Sequence, residues 1–237
     1  MKCYVDLHLH TALSPCADDD MTPNNIVNMS VLKGLDIIAV TDHNTTGNCE
    51  ATVKCGERSG LLVVPGMELE TQEEVHVLCL LPDMEHARLL AAYVNNAHPG
   101  GENREDLLGR QLLFDEQDRI TGQERRLLLT AVQISLQETV RLVRAMGGAV
   151  VPAHVDRTAN SILANLGFVP PDLEIYWLEL SASCQVDKFR AEHPELNAYS
   201  LLQSSDAHRL PDILERTSCI ELVEKSIPCL LAALRGG

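Results

Sequence analysis

Short apolar runs alternate with helix-length segments along most of this chain, and that alternation constrains its fold more than any other feature. Several runs are apolar throughout, which is typical of parallel strands covered on both faces. We predict strands at residues 3–9, 36–41, 61–69, 75–81, 149–153, 174–180, 201–205 and 219–222. Strands that alternate with helices indicate an α/β fold, either a barrel or a doubly wound sheet.

Local signals refine this pattern. Thr22 and Pro23 start a helix that Gly34 ends, and Ser135 with Glu138 forms a capping box before a helix. Only residues 70–74 separate the third and fourth predicted strands, which is too short for a crossover helix. We therefore expect a hairpin at that point.

The length of 237 residues suits one barrel-sized domain over residues 1–237. The polar segment 98–130 interrupts the alternation, and residues 114–121 within it are compatible with a small hairpin. Long loops in compact domains are often functional. We therefore predict that residues 98–130 form an insertion or a lid within the domain.

Composition narrows the function classes. The chain carries a net charge of −15 and only 3% aromatic residues, which disfavours binding to long nucleic acid but not to a small phosphate held by metal ions. Eight scattered cysteines form no disulfide-like framework, and no signal peptide or membrane-length apolar run is evident. We expect a soluble, cytoplasmic protein with no membrane partner.

Imidazole and carboxylate side chains recur where the predicted strands end. Five of the nine histidines follow this rule, together with two acidic residues: His8, His10, His43, His154, His208, Glu68 and Asp206. His76 instead lies early in its strand, but the expected hairpin inverts that strand and brings its start beside the end of the Glu68 strand. The other three, His86, His98 and His193, fall in helical or loop contexts. Carboxyl ends of parallel strands share one edge, so the first set is expected to converge.

This set of side chains has the chemistry of a metal site. Burying six unpaired imidazoles would be costly, and imidazole with carboxylate suits Zn²⁺, Mn²⁺ or Fe²⁺. There are too many ligands for one ion, so we predict a cluster of two or three metals. Such clusters hold a phosphoryl group and supply hydroxide for in-line attack.

The motifs resemble those of the PHP (polymerase and histidinol phosphatase) family. They are His8-Leu9-His10, Thr41-Asp42-His43-Asn44, Gly66-Met67-Glu68, Glu74-Val75-His76, Pro152-Ala153-His154 and Ser205-Asp206-Ala207-His208. The resemblance extends over most of the chain. It implies a distorted (β/α)7 barrel, three divalent metal ions at the carboxyl ends of the strands, and phosphoester hydrolysis.

The resemblance also implies a ligand set. One metal would take His8, His10, Glu68 and Asp206; a second would share Glu68 with His76 and His154; a third would take His43 and His208 with an acid. The family often supplies that acid in a Ser-Asp-Gly string, whereas this chain reads Ser14-Pro15-Cys16-Ala17-Asp18-Asp19-Asp20. We predict Asp18 as the ligand, with Asp19, Asp20 or Cys16 as alternatives.

Further roles follow from the same resemblance. Arg157 stands where phosphatase members of the family carry an arginine that holds substrate phosphate, and Arg209 is a second candidate. Asp206 or His208 would also assist proton transfer to the leaving oxygen. Arg157, Asp206 and His208 are thus the predicted catalytic residues.

Three functions remain open at this point. The first is a phosphoesterase that releases phosphate from a small phosphorylated substrate by metal-activated hydroxide, acting on a phosphomonoester or a nucleotide phosphate. The second is a nuclease that trims short oligonucleotides from an end. The third is a non-catalytic, metal-binding accessory module.

Overall fold

A computed structural model describes all residues from 1 to 237. Ten strands and eight α-helices make up the chain. The strands are β1 (Lys2–Leu9), β2 (Ile37–Val40), β3 (Leu62–Glu70), β4 (His76–Leu80), β5 (Leu112–Phe114), β6 (Ile120–Gln123), β7 (Ala149–Pro152), β8 (Trp177–Ser181), β9 (Ser200–Ser204) and β10 (Cys219–Glu221). The helices are α1 (Pro23–Leu32), α2 (Cys49–Ser59), α3 (Met84–Ala97), α4 (Glu105–Leu108), α5 (Leu136–Ala145), α6 (Ile162–Leu166), α7 (Val186–Glu192) and α8 (Ile227–Leu234).

The central sheet has six strands in the order β10-β1-β2-β3-β4-β7. Strands β1, β2 and β3 are parallel, whereas β4 is antiparallel to both β3 and β7. Strands β8 and β9 form a separate parallel pair. The sheet curls into a half-barrel, and this confirms the predicted α/β class.

Single contacts connect the half-barrel to the β8–β9 pair. Val155 N, beyond β7, donates to Glu179 O in β8 at 2.8 Å. Leu9 at the end of β1 forms an isolated bridge with Ala207, just after β9. Because no continuous ladder joins the pair to the half-barrel, the predicted count of seven barrel strands is not confirmed.

The predicted hairpin between the third and fourth strands is present. Strand β4 runs antiparallel to β3, and His76 pairs with Glu70. The reversal places the first residue of β4 beside the last residues of β3. His76 therefore reaches the same edge of the sheet as Glu68.

The helix signals act as the sequence indicates. The Thr22 side chain caps α1, and the Ser135 hydroxyl accepts from Glu138 N at 3.1 Å to cap α5. The Glu138 carboxylate accepts instead from Tyr93 Oη at 2.6 Å, so the capping box lacks its return bond. Gly34 after α1 has the left-handed φ of 74° that favours glycine at a helix end.

The core lies on both faces of the sheet. Every residue of β2 is buried, as the continuous apolar pattern predicts for a strand covered on both sides. Apolar side chains of the strands pack against the helices in three clusters. A membrane span would need a longer and more apolar helix than any of the eight described above.

The segment 98–130 contains α4 and the β5–β6 hairpin, and buried polar contacts attach it to the rest of the protein. Asn48 is fully buried; its Nδ2 donates to Leu112 O and its Oδ1 accepts from Phe114 N, both at 2.9 Å. At the tip of the hairpin, the Asp118 carboxylate accepts from the Thr22 hydroxyl at 2.7 Å. These contacts fix the segment at its base and at its tip.

Candidate metal centre

Glu68 lies at the centre of a cluster of imidazole rings. Its side chain is 1% exposed, and five histidines place a ring nitrogen within 3.4 Å of its carboxylate oxygens. They are His8, His10, His43, His76 and His154. The shortest distances are 2.8 Å from His43 Nδ1 to Oε2 and 2.9 Å from His76 Nδ1 to Oε1.

Asp206 supplies the second carboxylate of the cluster. Its Oδ1 lies 3.0 Å from His10 Nε2 and 3.3 Å from His8 Nε2. His208 Nδ1 is 3.6 Å from the same oxygen and bonds to the backbone carbonyl of Asp206 at 3.0 Å. All eight side chains predicted from strand ends therefore meet in one place.

The backbone shows why strand ends suit this arrangement. His8 lies in β1 and His10 directly follows its last residue, so the alternation of the extended chain puts both rings on one face. Just past the ends of β7 and β9, His154 and Asp206 have φ values of 33° and 52°, in the left-handed region that such residues rarely adopt. Strain of this kind clusters at functional sites, where surrounding structure holds it in place.

Outer contacts select which ring nitrogens face the cluster. His8 Nδ1 bonds to both oxygens of the buried Glu179 at 3.0 and 3.1 Å, and His10 Nδ1 bonds to Ser14 Oγ at 2.8 Å. With protons on these Nδ1 atoms, both Nε2 atoms point lone pairs inward, only 3.0 Å apart. In their neutral forms the two rings thus present only acceptors to the centre. Burial lowers the pKa of His8, but Glu179, Glu68 and Asp206 raise it well above its usual value, so a cation bound there would replace a proton on this ring.

The two carboxylate oxygens that face these ring nitrogens also lack a hydrogen-bond donor. Glu68 Oε2 and Asp206 Oδ1 are buried and accept no hydrogen bond. Leaving buried acceptors unsatisfied is costly. A convergence of lone pairs from His8, His10, Glu68 and Asp206 therefore fits a cation at its centre.

Charge within the cluster is also consistent with cation binding. Burial opposes ionisation of Glu68, but His76, His8 and His43 hold its pKa well below the usual range. Burial also disfavours charged His76, yet the Glu68 carboxylate raises its pKa to about 10. Burial and the neighbouring His208 and His43 keep the pKa of His10 well below its usual value. The carboxylates are ionised, and positive charge must balance them.

Three groups of side chains have ligand atoms close enough to share an ion. They are His8, His10, Glu68 and Asp206; His43, Glu68 and His76; and His10, His43 and His208. His154 Nε2 lies 3.1 Å from Glu68 Oε1, beside the second group. Imidazole nitrogen with carboxylate oxygen matches Zn²⁺, Mn²⁺ or Fe²⁺.

The loop after β1 is placed differently from the prediction. Asp18 is exposed, its carboxylate is 3.5 Å from Arg209 Nε, and it belongs to none of these groups. Asp19 pairs instead with Arg110, and Cys16 is exposed. The left-handed φ of 67° at Cys16 turns the chain here, so the structure brings neither the acids nor the thiol to the cluster.

Arg157 lies at the edge of the cluster. Its Nη1 is 2.6 Å from Asp206 Oδ2, and 45% of its side chain is exposed. It lines an open cleft of about 530 Å³ whose floor includes Glu68, His154 and Asp206. The guanidinium can therefore meet a ligand that enters the cleft. Arg209 lies farther out, beside Asp18.

Several buried or half-buried polar residues of the site were not predicted from the sequence. Glu179 holds His8, while Ser14 accepts from His10 Nδ1 and donates to Asp42 Oδ1 at 2.7 Å. Asn160 Nδ2 lies 3.0 Å from His76 Nε2. Asp42 stands inside the Thr41-Asp42-His43 motif, which was a usable signal. Glu179 lies within an apolar run, and no sequence feature marked it as a functional residue.

The fold and the site define an α/β protein with a buried His-and-carboxylate centre suited to divalent metals. The sequence profile of the PHP domain matches residues 6–150, which is more than half of the chain. The chain therefore belongs to the PHP domain family, as its motifs indicated.

Named relatives act on phosphoester bonds. The 5′-3′ exoribonuclease Rnm of Escherichia coli is 30% identical to this chain over 64% of its length, and the aligned region covers 46% of that enzyme. A phosphoribosyl 1,2-cyclic phosphate 1,2-diphosphodiesterase of Eggerthella lenta is 34% identical to this chain over 32% of its length, and the aligned region covers 29% of that protein. The chain thus spans less than half the length of either relative.

Solved structures share the fold. The lesion-specific endonuclease Q of Pyrococcus furiosus has a TM-score of 0.71 at 20% identity, over all of this chain and 56% of that one. A complex of endonuclease Q with a 27-mer duplex gives a TM-score of 0.69 at 19% identity, over all of this chain and 57% of that one.

These comparisons correct the predicted partners. The exclusion of long nucleic acid is wrong, because relatives include exoribonucleases and the fold occurs in an endonuclease bound to DNA. The error has a physical cause. A net charge of −15 describes the whole surface, whereas bound cations set the sign of the field within a small cleft.

Proposed function

We propose that this protein hydrolyses phosphodiester bonds in nucleic acid with divalent metal ions held by the Glu68–Asp206 cluster. The observation that carries the proposal is the pair of buried, unpartnered oxygens, Glu68 Oε2 and Asp206 Oδ1, which face the lone pairs of His8 and His10. This arrangement lies at the floor of an open cleft. It has the composition of a site that holds phosphate through metal ions.

The proposed centre holds three ions. His8, His10, Glu68 and Asp206 would bind the first; Glu68, His76 and His154 the second; and His43 and His208, with His10 nearby, the third. Support comes from the convergence of these ligand atoms. Glu179 and Ser14 would keep the rings of His8 and His10 turned toward the metals.

Ions bound there would supply Lewis acidity toward phosphate oxygens and lower the pKa of water. Arg157 would exchange its contact with Asp206 for a two-pronged contact with a phosphate oxygen pair, which its planar fork matches. The guanidinium would thereby orient the phosphodiester over the cluster and balance part of its charge.

Asp206 and His208 serve better as ligands than as proton donors. Burial opposes ionisation of Asp206, but His8 and His10 hold its pKa well below the usual range. Burial, with His43 nearby, lowers the pKa of His208 despite the opposing effect of Asp206. Neither side chain is in its acid form at neutral pH, so we assign both to metal binding.

The segment 98–130 would form a fixed wall of the cleft within a single domain over residues 1–237. Leu129 lines the cleft, and the buried Asn44 holds its neighbours by donating to Leu128 O and Thr130 O at 2.8 and 2.9 Å. We also propose that β1, β2, β3, β4, β7, β8 and β9 make up a distorted seven-stranded barrel around the site.

Nucleic acid is preferred over a small phosphomonoester because the exoribonuclease relative aligns with 64% of the chain at 30% identity. The test compares a 5′-phosphorylated hexaribonucleotide with adenosine 5′-monophosphate, in Mn²⁺, Zn²⁺ or Fe²⁺. We expect metal-dependent shortening of the strand, with little phosphate release from the monophosphate.

Glu68→Gln is the matched loss-of-function control, since it keeps the shape of a residue proposed to touch two ions. It should abolish strand cleavage. Phosphate release from the monophosphate without strand cleavage would overturn the nuclease assignment and restore the small-substrate hypothesis.

A further inference from the structure

A second cavity adjoins the metal cleft along the same edge of the sheet. It measures about 680 Å³ and lies between the loop after β7, helix α6, the loop after β8 and helix α7. Asp156, Arg157 and Thr158 line both this cavity and the metal cleft. A ligand that extends from the metal centre past Arg157 would therefore enter the second cavity directly.

The size and walls of this cavity suit one nucleotide. Its volume falls in the usual range for small-molecule sites, roughly 300–1,000 Å³. Val155, Leu163 and Phe189 give one apolar side, while Ser183 and Gln185 offer polar groups for a sugar or base edge. Mixed walls of this kind are typical of sites that bury a ring and orient it by a few hydrogen bonds.

Two cationic side chains line this cavity and can contact a phosphate group. Arg157 stands at its boundary with the metal cleft, and Lys188 lies on the α7 wall with 67% of its side chain exposed. The carboxylate nearest Lys188 is Glu192, with Nζ 3.8 Å from Oε1. An exposed ion pair at this distance contributes little stabilisation, so Lys188 can leave Glu192 and contact another anion.

Two carboxylates, those of Asp156 and Glu192, line the cavity beside these cations. Asp156 Oδ1 accepts from Ser181 N at 2.8 Å, and its other oxygen accepts from the Ser181 hydroxyl, so both oxygens are held against the loop after β8. The formal charges of the lining therefore balance, and the two cations stand out on a protein whose net charge is −15.

We propose that this second cavity binds the nucleotide adjoining the cleaved phosphodiester, and that Lys188 contacts the next phosphate along the strand. The inference rests on the proposed nuclease function and extends it. It assigns the loop after β8 and helix α7 to substrate binding, a role that no motif in the sequence indicated.

The test separates long from minimal substrates. Bis(p-nitrophenyl) phosphate reaches only the metal cleft, whereas a 5′-phosphorylated hexaribonucleotide also fills the second cavity. Lys188→Gln should lower kcat/KM for the hexaribonucleotide roughly tenfold, at the lower end of the effect of losing one hydrogen bond to a charged group. It should leave turnover of the minimal diester unchanged.

Arg190→Gln is the matched control, because Arg190 is on the same helix and does not line the cavity. The dependence of log kcat/KM on log salt should become shallower by about 0.7 in Lys188→Gln, as expected for one lost phosphate contact to a single strand. The slope of Arg190→Gln should stay near that of the wild type. A purely structural role of Lys188 would not produce this difference.

A second variant tests the cavity itself. Ala164 lines it from α6 and is exposed, so Ala164→Trp should fill space without disturbing the core. It should raise KM for the hexaribonucleotide and spare the minimal diester. If both variants keep hexaribonucleotide kinetics within about twofold of the wild type, the subsite is refuted while the nuclease function stands. Failure of the wild type to cleave either substrate would overturn the proposed function and this inference with it.

Discussion

Replacement of Glu179 by glutamine should weaken metal binding although Glu179 lies outside the proposed ligand set. The side chain is 1% exposed, and its Oε2 accepts from His154 N and from His8 Nδ1, both at 3.0 Å. Its Oε1 is 3.1 Å from the same His8 nitrogen. Both oxygens therefore act as acceptors in the wild type.

The isosteric amide keeps only one acceptor. If its oxygen takes the Oε2 position, it still accepts from His154 N and can accept from His8 Nδ1, but the NH2 group in the Oε1 position then opposes the Nδ1 proton at 3.1 Å. This contact between two donors favours a movement of His8, or a shift of its proton to Nε2, where it would point at His10 Nε2 only 3.0 Å away. Either response removes the Nε2 lone pair of His8 from the centre.

Loss of such a supporting contact typically costs 10- to 100-fold in metal affinity. This corresponds to about 1.4–2.8 kcal/mol, similar to the value of a hydrogen bond to a charged group. Calorimetric titration of Mn²⁺ into chelator-treated protein measures it. Glu57→Gln, which removes an exposed carboxylate on α2, controls for the change in net charge. An affinity of Glu179→Gln within twofold of the control would refute the role given to Glu179.

Three further predictions follow from individual contacts. Arg157→Lys should raise KM for the hexaribonucleotide about tenfold, because a lysine cannot make the two-pronged contact with phosphate. The metal content measured by elemental analysis should stay unchanged. A loss of metal would show that Arg157 supports the cluster instead. Asp18→Asn should keep wild-type metal stoichiometry, since the structure places this exposed carboxylate beside Arg209, and a lost ion would restore Asp18 as a ligand. Gly56→Ala would put a Cβ 2.3 Å from Val63 Cγ2 and 2.8 Å from Leu61 O. It should therefore lower the free energy of unfolding by about 1–3 kcal/mol, which thermal melting would record as a Tm lower by roughly 2–4 °C per kcal/mol. An unchanged Tm would mean that α2 shifts freely to make room for the methyl group.

The convergence of ligands was predictable because its signal is local. His8 and His10 alternate on one strand, and Asp206 and His208 share the same spacing after another. Parallel strands end at a common edge, so local placement implied spatial proximity. His76 required one further step, the β3–β4 hairpin, which the short 70–74 connection made evident.

The contacts that hold the rings were not predictable in this way. Glu179 meets His8 across 171 positions of sequence. Nothing near Glu179 distinguishes it from a residue on the polar side of a strand. Similarly, the left-handed turn at Cys16 directs Asp18 outward, and a non-glycine residue gives little sign of a positive φ.

The exclusion of long nucleic acid was the largest error, because it was drawn from a global property. Net charge governs long-range steering and does not describe one cleft. Arg157 and Lys188 lie on one edge of an acidic protein, next to a centre built for cations. The relevant field is local, and only the three-dimensional placement of these residues reveals it.

Anomalous diffraction from crystals soaked in Mn²⁺ would show whether the cluster binds metal. We expect three peaks within the cluster, one of them bounded by His8, His10, Glu68 and Asp206. All three should be lost or sharply reduced in Glu68→Gln crystals. Absence of any peak within bonding distance of Glu68, with manganese bound elsewhere or not at all, would contradict the proposed metal centre.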